Sequence, residues 1–403
     1  MLKVLQVCQK VPWPPNDGGS LAIYNAALGL MDAGVELSII AVNALRDKVN
    51  THTIPAWFRQ STKLLAVDID TRIKPVAAIL NLFRRDSYII QRFYSRSFEN
   101  ELIGLITKES FDIIQIEHLQ MCVYVDVIRK YSSAKIVFRP QNVEHKVWQK
   151  YLRNLKNPLK KFFLGVAVRR LLRFEKSILT KVDGIIAISA DDAHDFRSYH
   201  PEIQVIDVPV AFVFKNQDGY DFEKQYLDFP SIYHLGSMDW RPNQEAITWF
   251  VEGILPSVRQ EFPDLKIYLA GKKMLPEFLK LKIKNLFVEG TVPDALKWQE
   301  DKAILIVPLI SGGGIRAKII EAMALGKTII STTAGASGIH FSPGKEILIA
   351  DTAEAFVHQI SKCISSETLC REMGQAARKR ALSDYHYLNC AQAMIAFYHR
   401  LAC

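Results

Sequence analysis

The sequence lacks the features of exported, disulfide-linked and membrane-spanning proteins. Its six cysteines are scattered over 403 residues without Cys-x-x-Cys spacing or nearby histidine pairs, which argues against a disulfide scaffold and against a zinc site. It contains no run of about 18 apolar residues, and its first residues, MLKVLQV, show no signal-peptide pattern. We therefore expect a cytoplasmic protein with reduced cysteines.

The composition is that of a folded protein with an excess of positive charge. Hydrophobic residues make up 49% of the chain, and its 20 Gly and 17 Pro form no low-complexity segment. Because domains average roughly 150 residues, this length predicts two or three domains, and we favour two. The formal net charge of +9 indicates an anionic partner, which composition leaves open among a nucleotide, a nucleic acid and an acidic lipid.

Short apolar runs alternate with amphipathic segments in both halves of the chain. Continuous Ile, Val and Leu runs are typical of strands buried on both faces of a parallel sheet. Predicted strands cover residues 3–9, 35–42, 111–117, 134–139 and 183–189, and then 231–236, 266–271, 285–290, 303–309 and 327–332. The predicted fold class is α/β, with two tandem Rossmann-like doubly wound parallel-sheet domains facing a cleft.

The predicted domain boundary lies where this alternation fades, around residues 212–230. We expect an N-terminal domain at 1–215, with a C-terminal helix near 385–403 packing back on it, and a second domain at 216–384. Ligands of such sheets bind beyond the carboxyl ends of the strands, so candidate site residues are those that directly follow a predicted strand.

One such segment, SGGGIRAKIIEAMALG at 311–326, places glycines and cations at a predicted helix start. A cation there costs about 0.3–1 kcal/mol unless an anion offsets it. Gly312 to Gly314 would let a phosphate approach the helix amides, and Arg316 and Lys318 would neutralise its charge. The alternative is a flexible turn with two solvated cations.

Glu321 lies three residues beyond Lys318 on the same predicted helix. A carboxylate one turn into a phosphate-binding helix can accept two hydrogen bonds from a ribose diol. It can equally form an ion pair with Lys318 on the helix surface, worth about 0.2–0.5 kcal/mol. The residues alone leave both roles open.

Residues 303–338, which contain this segment, resemble the donor-binding segment of family 4 (group 1) glycosyltransferases. HLGSMDWRPNQEAITWF at 234–250 and RPQNVEHKVW at 139–148 resemble a bacterial branch of that family that builds cell-surface polysaccharides. The resemblance implies a GT-B fold and retaining transfer of a sugar from a UDP- or GDP-linked donor to a hydroxyl acceptor, with no cofactor or metal.

The resemblance also implies roles for donor-binding residues, and this chain departs from the family pattern at two places. Glu321 matches the ribose-binding last position of a Glu-x7-Glu motif, whereas Gly313 stands where the first glutamate is expected. Many members carry Arg and Lys after the first strand of the second domain, where this chain has a segment containing Arg241 and Asn243. We infer that Arg316 and Lys318 take over this neutralisation.

In the N-terminal half, the resemblance implies that the loop and helix start at 12–25, with Gly18 and Gly19, approach the donor phosphates; an ordinary βα turn is the alternative. Glu117 and His118 follow a predicted strand where family members carry a functional histidine, so either could orient the attacking hydroxyl or line the acceptor site. A structural histidine is the competing interpretation.

Three further residues follow the strand at 134–139 and are predicted to line the acceptor pocket: Asn142, Glu144 and His145.

Residues 153–176 carry eight Lys or Arg and one acidic residue among apolar positions. They predict a basic amphipathic helix that lies on an anionic membrane surface beside a lipid-linked or saccharide acceptor, or else a solvated helix face packed on the sheet.

The leading functional hypothesis is a metal-independent glycosyltransferase of cell-surface polysaccharide or glycolipid assembly, at the inner face of the membrane. One alternative is a GT-B nucleotide-sugar 2-epimerase, which would turn over its nucleotide sugar without an acceptor. Another is a non-catalytic basic protein that binds a membrane or a nucleic acid. The cations concentrate in one predicted helix and no aromatic-basic recognition motif is present, so no nucleic-acid partner is expected.

Overall fold

The chain folds as two units, each built on one parallel sheet. The computed structural model describes residues 1–74, 77, 80–81, 86–153, 155–214, 226, 228–312 and 314–402. Met1–Phe212 and Tyr387–Cys403 form the first unit, and Val213–His386 forms the second. The sequence placed these divisions at 215/216 and near 385.

The first unit contains a seven-stranded sheet with the strand order β3-β2-β1-β4-β5-β6-β7, in which every paired neighbour is parallel. Its strands are β1 Lys3–Cys8, β2 Glu36–Ala44, β3 Leu65–Ile69, β4 Ile113–Glu117, β5 Lys135–Arg139, β6 Gly184–Ala187 and β7 Gln204–Asp207. Its described helices are α1 Gly18–Asp32, α2 Ala56–Ser61, α3 Tyr88–Gln91, α4 Arg96–Lys108, α5 Val125–Tyr131, α6 Glu144–Arg153, α7 Pro158–Ile178, α8 Ala190–Tyr199 and α16 Tyr387–Ala402.

The second unit repeats this architecture with six parallel strands in the order β10-β9-β8-β11-β12-β13. Its strands are β8 Ser231–Leu235, β9 Lys266–Ala270, β10 Leu286–Gly290, β11 Ile304–Val307, β12 Thr328–Ser331 and β13 Leu348–Ile349. Its described helices are α9 Arg241–Trp249, α10 Leu255–Glu261, α11 Pro276–Leu279, α12 Ala295–Trp298, α13 Ala317–Ala324, α14 Ala353–Ile364 and α15 Glu367–Asp384. The predicted fold class, two doubly wound parallel-sheet α/β domains, is confirmed.

Three strands escaped the sequence prediction, and each lies at a sheet edge. These are β3, β7 and β13. Their side chains are only partly buried, so their sequences, such as QVID in β7, lack the continuous apolar run of a central strand. These strands were missed because the prediction depended on a continuous apolar run.

Two helical segments differ in detail from what the sequence predicts. Apolar periodicity predicts one helix at 243–260, and the chain is helical there, but a π-helical turn at Phe250–Ile254 separates α9 from α10, whose second residue Pro256 has no backbone N–H to donate. The stretch at 153–176 is split between α6 and α7. Asn157 starts α7 by accepting a hydrogen bond from the Lys160 amide at 3.0 Å, and Pro158 occupies the first helical position.

The C-terminal helix α16 belongs to the first unit, where it packs against α1. Gly29 makes this close approach possible, because a Cβ at that position would lie 2.5 Å from the Tyr387 carbonyl oxygen. Apolar residues of both helices share a buried cluster with one face of the sheet. Among the described helices, none combines the length and the apolar content needed to cross a bilayer.

Candidate active site

The start of α13 lies at the carboxyl edge of the second sheet, after β11. The connecting loop uses Gly312 at φ 109° and Gly314 at φ 83°, both in the left-handed region that favours glycine. Gly313, the position of the missing motif glutamate, lies outside the described residues. The loop therefore turns sharply before the helix.

Arg316 is the N-cap residue of α13 rather than part of its first turn, and only 5% of it is exposed. Its guanidinium lies over the Trp240 ring, 5.0 Å from the ring centre, and donates to the Gly314 carbonyl oxygen. A Cβ at Gly312 would come within 3.0 Å of the Trp240 ring and 3.1 Å of the guanidinium. Trp240 and the glycine together thus fix the position of the cation.

Lys318 turns back toward the end of β8. Its Nζ donates to Asn243 Oδ1 at 3.0 Å and lies 3.4 Å from His234 Nε2. A Cβ at Gly236 would lie 2.7 Å from the same Nζ, so glycine there leaves room for the ammonium. Because an ammonium has three N–H groups, the two side-chain partners leave one for a ligand.

His234, which the sequence reasoning missed, sets the surroundings of Lys318. It is fully buried, and its Nδ1 lies 3.0 Å from the Ile306 carbonyl oxygen, an acceptor that requires a proton on Nδ1. Nε2 then presents a lone pair to Lys318. Burial holds the pKa of His234 well below its usual value, with the Lys318 charge acting in the same direction. A lone histidine in a predicted strand gave no signal of this contact.

Two ionisable groups of α13 carry shifted pKa values in the unliganded protein. Burial, reinforced by the neighbouring Arg316 charge, lowers the pKa of Lys318 to about 7. Burial also raises the pKa of Glu321, an effect that Lys318 opposes. No hydrogen bond to the Glu321 carboxylate comes from the part of the chain that the structure describes. The helix start therefore holds cations and a carboxylate that a polar ligand would stabilise.

The two predicted residues of the 237–243 segment, Arg241 and Asn243, have different surroundings. Asn243 is buried and joins the cluster, because its amide donates to the Ser237 carbonyl oxygen at 2.8 Å while its oxygen accepts from Lys318. Arg241 instead points into solvent and pairs with Glu245 at 2.8 Å; Glu245 also accepts from the Ser311 hydroxyl. Arg241 thus neutralises Glu245.

In the first unit, Gly18 and Gly19 begin α1 as the sequence predicted. Asp17 caps this helix by accepting hydrogen bonds from the Gly19 and Ser20 amides, and it pairs with Lys10 at 2.8 Å. Two of the first three amides of α1 therefore already have a carboxylate partner. Gly19 lies close to His118, whose Nε2 is 3.5 Å from the position that a Cβ at residue 19 would take.

Glu117 and His118 have different surroundings. The Glu117 carboxylate is fully buried and accepts hydrogen bonds from Gln115 at 2.7 Å and from Arg139 at 3.1 and 3.2 Å. Gln115 in turn accepts from the Tyr398 hydroxyl of α16. A carboxylate enclosed in this way cannot contact a substrate hydroxyl, so the catalytic prediction for Glu117 is replaced by a structural role.

His118 stays the candidate of the pair. It follows β4 at φ 72°, a strained backbone conformation for a non-glycine residue, and only 8% of it is exposed. Its Nδ1 has no hydrogen-bond partner among the described residues. Burial and the charges of Lys10 and Arg139 lower the pKa of His118 to about 3, so the imidazole is neutral at physiological pH.

The three predicted acceptor residues also differ in burial and in hydrogen-bond partners. His145 is buried, and its Nδ1 lies 2.5 Å from Glu175 Oε2, while Tyr199 reaches its Nε2 at 3.3 Å. Both ring nitrogens are occupied, so the acceptor-binding prediction for His145 is wrong. Glu175 also accepts from the first amides of α6, which explains why it is buried. Asn142 and Glu144 are half-buried, and burial raises the pKa of Glu144.

Removing the Glu117 carboxylate should destabilise the first unit strongly. Glu117→Ala leaves the Arg139 charge buried and unpaired, and we expect a loss of about 3–5 kcal/mol in the free energy of unfolding. The matched control is Asp126→Ala, which breaks an exposed pair with Lys181 and should cost less than about 1 kcal/mol. Urea unfolding followed by circular dichroism measures both; equal losses would contradict the structural role of Glu117.

Comparison with known proteins finds a family match over the part of the chain that contains the start of α13. A model of the protein family described as Glycosyl transferases group 1 matches residues 229–366, which include the α13 start and its partners. Sucrose-phosphate synthase from Thermosynechococcus elongatus is similar in structure at a TM-score of 0.64 and 14% identity, covering 100% of this chain and 99% of that one. The chain has the GT-B fold.

Two further relatives extend the comparison. Anabaena Alr3699/HepE, whose structure contains UDP, is similar to this GT-B chain at a TM-score of 0.63 and 13% identity, covering 99% of this chain and 100% of that one. An uncharacterized 44.6 kDa protein in the cps region of Klebsiella pneumoniae is 23% identical over 380 residues, covering 89% of this chain and 90% of that protein. Together the comparisons support a GT-B glycosyltransferase.

Proposed function

We propose that this protein transfers a sugar from a nucleotide-diphospho-sugar to a hydroxyl acceptor, with retention of configuration. The observation that supports it best is the pair of cations at the start of α13, where Lys318 reaches the end of β8 and contacts Asn243. Asn243 belongs to the segment where the resemblance to family 4 glycosyltransferases implies an Arg and a Lys. Lys318 thus supplies from α13 a charge that this segment lacks.

The proposed chemistry rests on stabilising the departing diphosphate. Glycosyl transfer passes through an oxocarbenium-like transition state, in which negative charge grows on the leaving oxygen. The third N–H of Lys318, the Arg316 guanidinium and the first amides of α13 offer positive potential at one place. These groups neutralise the diphosphate without a metal, so EDTA should leave binding unchanged. The leaving phosphate can itself accept the acceptor proton.

The Glu321 carboxylate should accept hydrogen bonds from the ribose hydroxyls of the nucleotide. Glu321→Gln should weaken UDP or GDP binding by roughly 10- to 100-fold, because hydrogen bonds to a charged acceptor contribute about 1.5–3 kcal/mol. The same change should alter the affinity for the 2′,3′-dideoxy nucleotide less than about three-fold. Glu245→Gln is the control, since Glu245 is occupied by Arg241 and Ser311. An equal loss for both nucleotides would rule out the ribose contact.

We further propose that the acceptor is a lipid-linked or saccharide hydroxyl in cell-surface polysaccharide or glycolipid assembly. The similarity to a protein in a cps region supports this assignment. Incubation with UDP- and GDP-sugars, with and without membrane extracts as the acceptor source, tests it. Release of UDP or GDP that depends on the extract is the expected result; conversion of the nucleotide sugar to its 2-epimer without any acceptor would contradict it.

A further inference from the structure

The hairpin formed by α6 and α7 exposes apolar side chains where it projects from the first unit. Residues 147–153 and 155–163 are here named the α6–α7 tip. The apolar side chains that are most exposed in the tip are Val147 at 48%, Tyr151 at 57%, Leu159 at 70%, Phe162 at 64% and Phe163 at 43%. Exposed large apolar residues are normal singly, but a cluster of this kind marks an interaction surface.

The charge of the tip has one sign. Its basic residues are Lys150, Arg153, Lys156, Lys160 and Lys161, and it contains no Asp or Glu. Within the described ranges, none of these five cations forms an ion pair, whereas Lys146, directly before the tip, pairs with Asp195 at 2.5 Å. The surface therefore combines apolar side chains with positive charge that the protein itself does not neutralise.

The part of the α6–α7 hairpin that lies away from the tip is packed into the first unit. The second half of α7 is part of the core through Leu171 and Ile178, and Glu175 caps the first amides of α6. Near the tip the two helices approach closely, because a Cβ at Gly165 would lie 3.8 Å from Leu152. The first six residues of α7, by contrast, are all exposed. Burial of the tip would thus require no rearrangement of the fold.

We propose that the α6–α7 tip binds the surface of an anionic phospholipid bilayer. Phe162, Phe163 and Leu159 enter the boundary between headgroups and acyl chains, and the five cations contact lipid phosphates. A protein partner with an acidic surface would match the charge, but the exposed aromatic and aliphatic side chains flanked by lysines fit a bilayer interface better. This inference goes beyond the proposed function and does not depend on it.

Vesicle flotation with the full chain tests the proposal. Vesicles of phosphatidylcholine with 30% phosphatidylglycerol, roughly the anionic content that attracts basic segments, should float the protein, and pure phosphatidylcholine vesicles should not. Each basic residue near an anionic surface strengthens binding roughly five-fold. The double variant Lys160→Glu/Lys161→Glu should therefore bind at least about ten-fold more weakly, and about 1 M salt should release the wild type.

The apolar contribution is tested by Phe162→Ser/Phe163→Ser, with an expected loss of about ten-fold or more. Matched controls in the second unit are Leu279→Ser, at an exposed apolar position, and Lys280→Glu/Lys282→Glu, at two exposed lysines; both variants should bind like the wild type. UDP binding should be unchanged in every tip variant, which separates this test from the proposed function. Equal flotation of tip variants and wild type, or loss of self-association instead of vesicle binding, would overturn the proposal.

Discussion

Replacing Arg316 and Lys318 with methionine should abolish nucleoside diphosphate binding. Each cation contacts the site where the diphosphate is proposed to lie, and removing one charged partner of a desolvated ion pair costs about 2–5 kcal/mol, or roughly 30- to 4,000-fold in affinity. Single variants should lose this amount, and the double variant should fall below detection. Isothermal titration with UDP and GDP measures the effect.

The control for this experiment is Arg241→Met. Arg241 lies two residues before Asn243, which contacts Lys318, but it pairs with Glu245, so its removal should change the affinity less than about three-fold. The methionine at position 318 should also raise the melting temperature of the unliganded protein, because a charge held in a desolvated place disfavours the folded state. If Arg241→Met weakened binding as much as Lys318→Met, net charge rather than this site would govern binding.

Nucleotide binding should take up a proton above pH 7. In the unliganded protein the pKa of Lys318 is about 7, so at pH 8 roughly 90% of this amine is neutral. A diphosphate at hydrogen-bond distance favours the charged form and raises this pKa, so the complex holds a proton that the unliganded protein lacks. Affinity should therefore decrease as pH rises from about 7 to 9.

Calorimetry in buffers of different ionisation enthalpy counts these protons. The diphosphate titrates as well, so the informative quantity is the difference between the wild type and Lys318→Met. At pH 8 the wild type should take up nearly one proton more than the variant, and at pH 6 the two should agree. Equal proton uptake by the wild type and Lys318→Met at pH 8 would show that the Lys318 amine does not contact the ligand.

The core of each sheet and the start of α13 could be predicted from the sequence for physical reasons. Central strands are buried on both faces and read as continuous apolar runs, whereas the edge strand β7 does not. The glycines and cations at 312–318 conflict with helix electrostatics, and the proposed diphosphate would offset the excess positive charge. Local chemistry of this kind is visible without a structure.

Contacts between distant segments were not predictable. His234 contacts Lys318, which is 84 residues away in the sequence, and Tyr398 donates a hydrogen bond to Gln115, which is 283 residues away. The prediction for His145 failed for the same reason, since its partner Glu175 lies 30 residues away on another helix. A side chain that follows a strand looks available in sequence, but only the fold decides whether another side chain already occupies it.

The most direct test of the proposed diphosphate site is a crystal structure of the protein with UDP or GDP bound. The diphosphate oxygens should lie about 2.7–3.2 Å from Lys318 Nζ and from the Arg316 guanidinium. The ribose hydroxyls should lie at the same distance from the Glu321 carboxylate. A nucleotide bound elsewhere, or one whose phosphates avoid both cations, would contradict the proposed site.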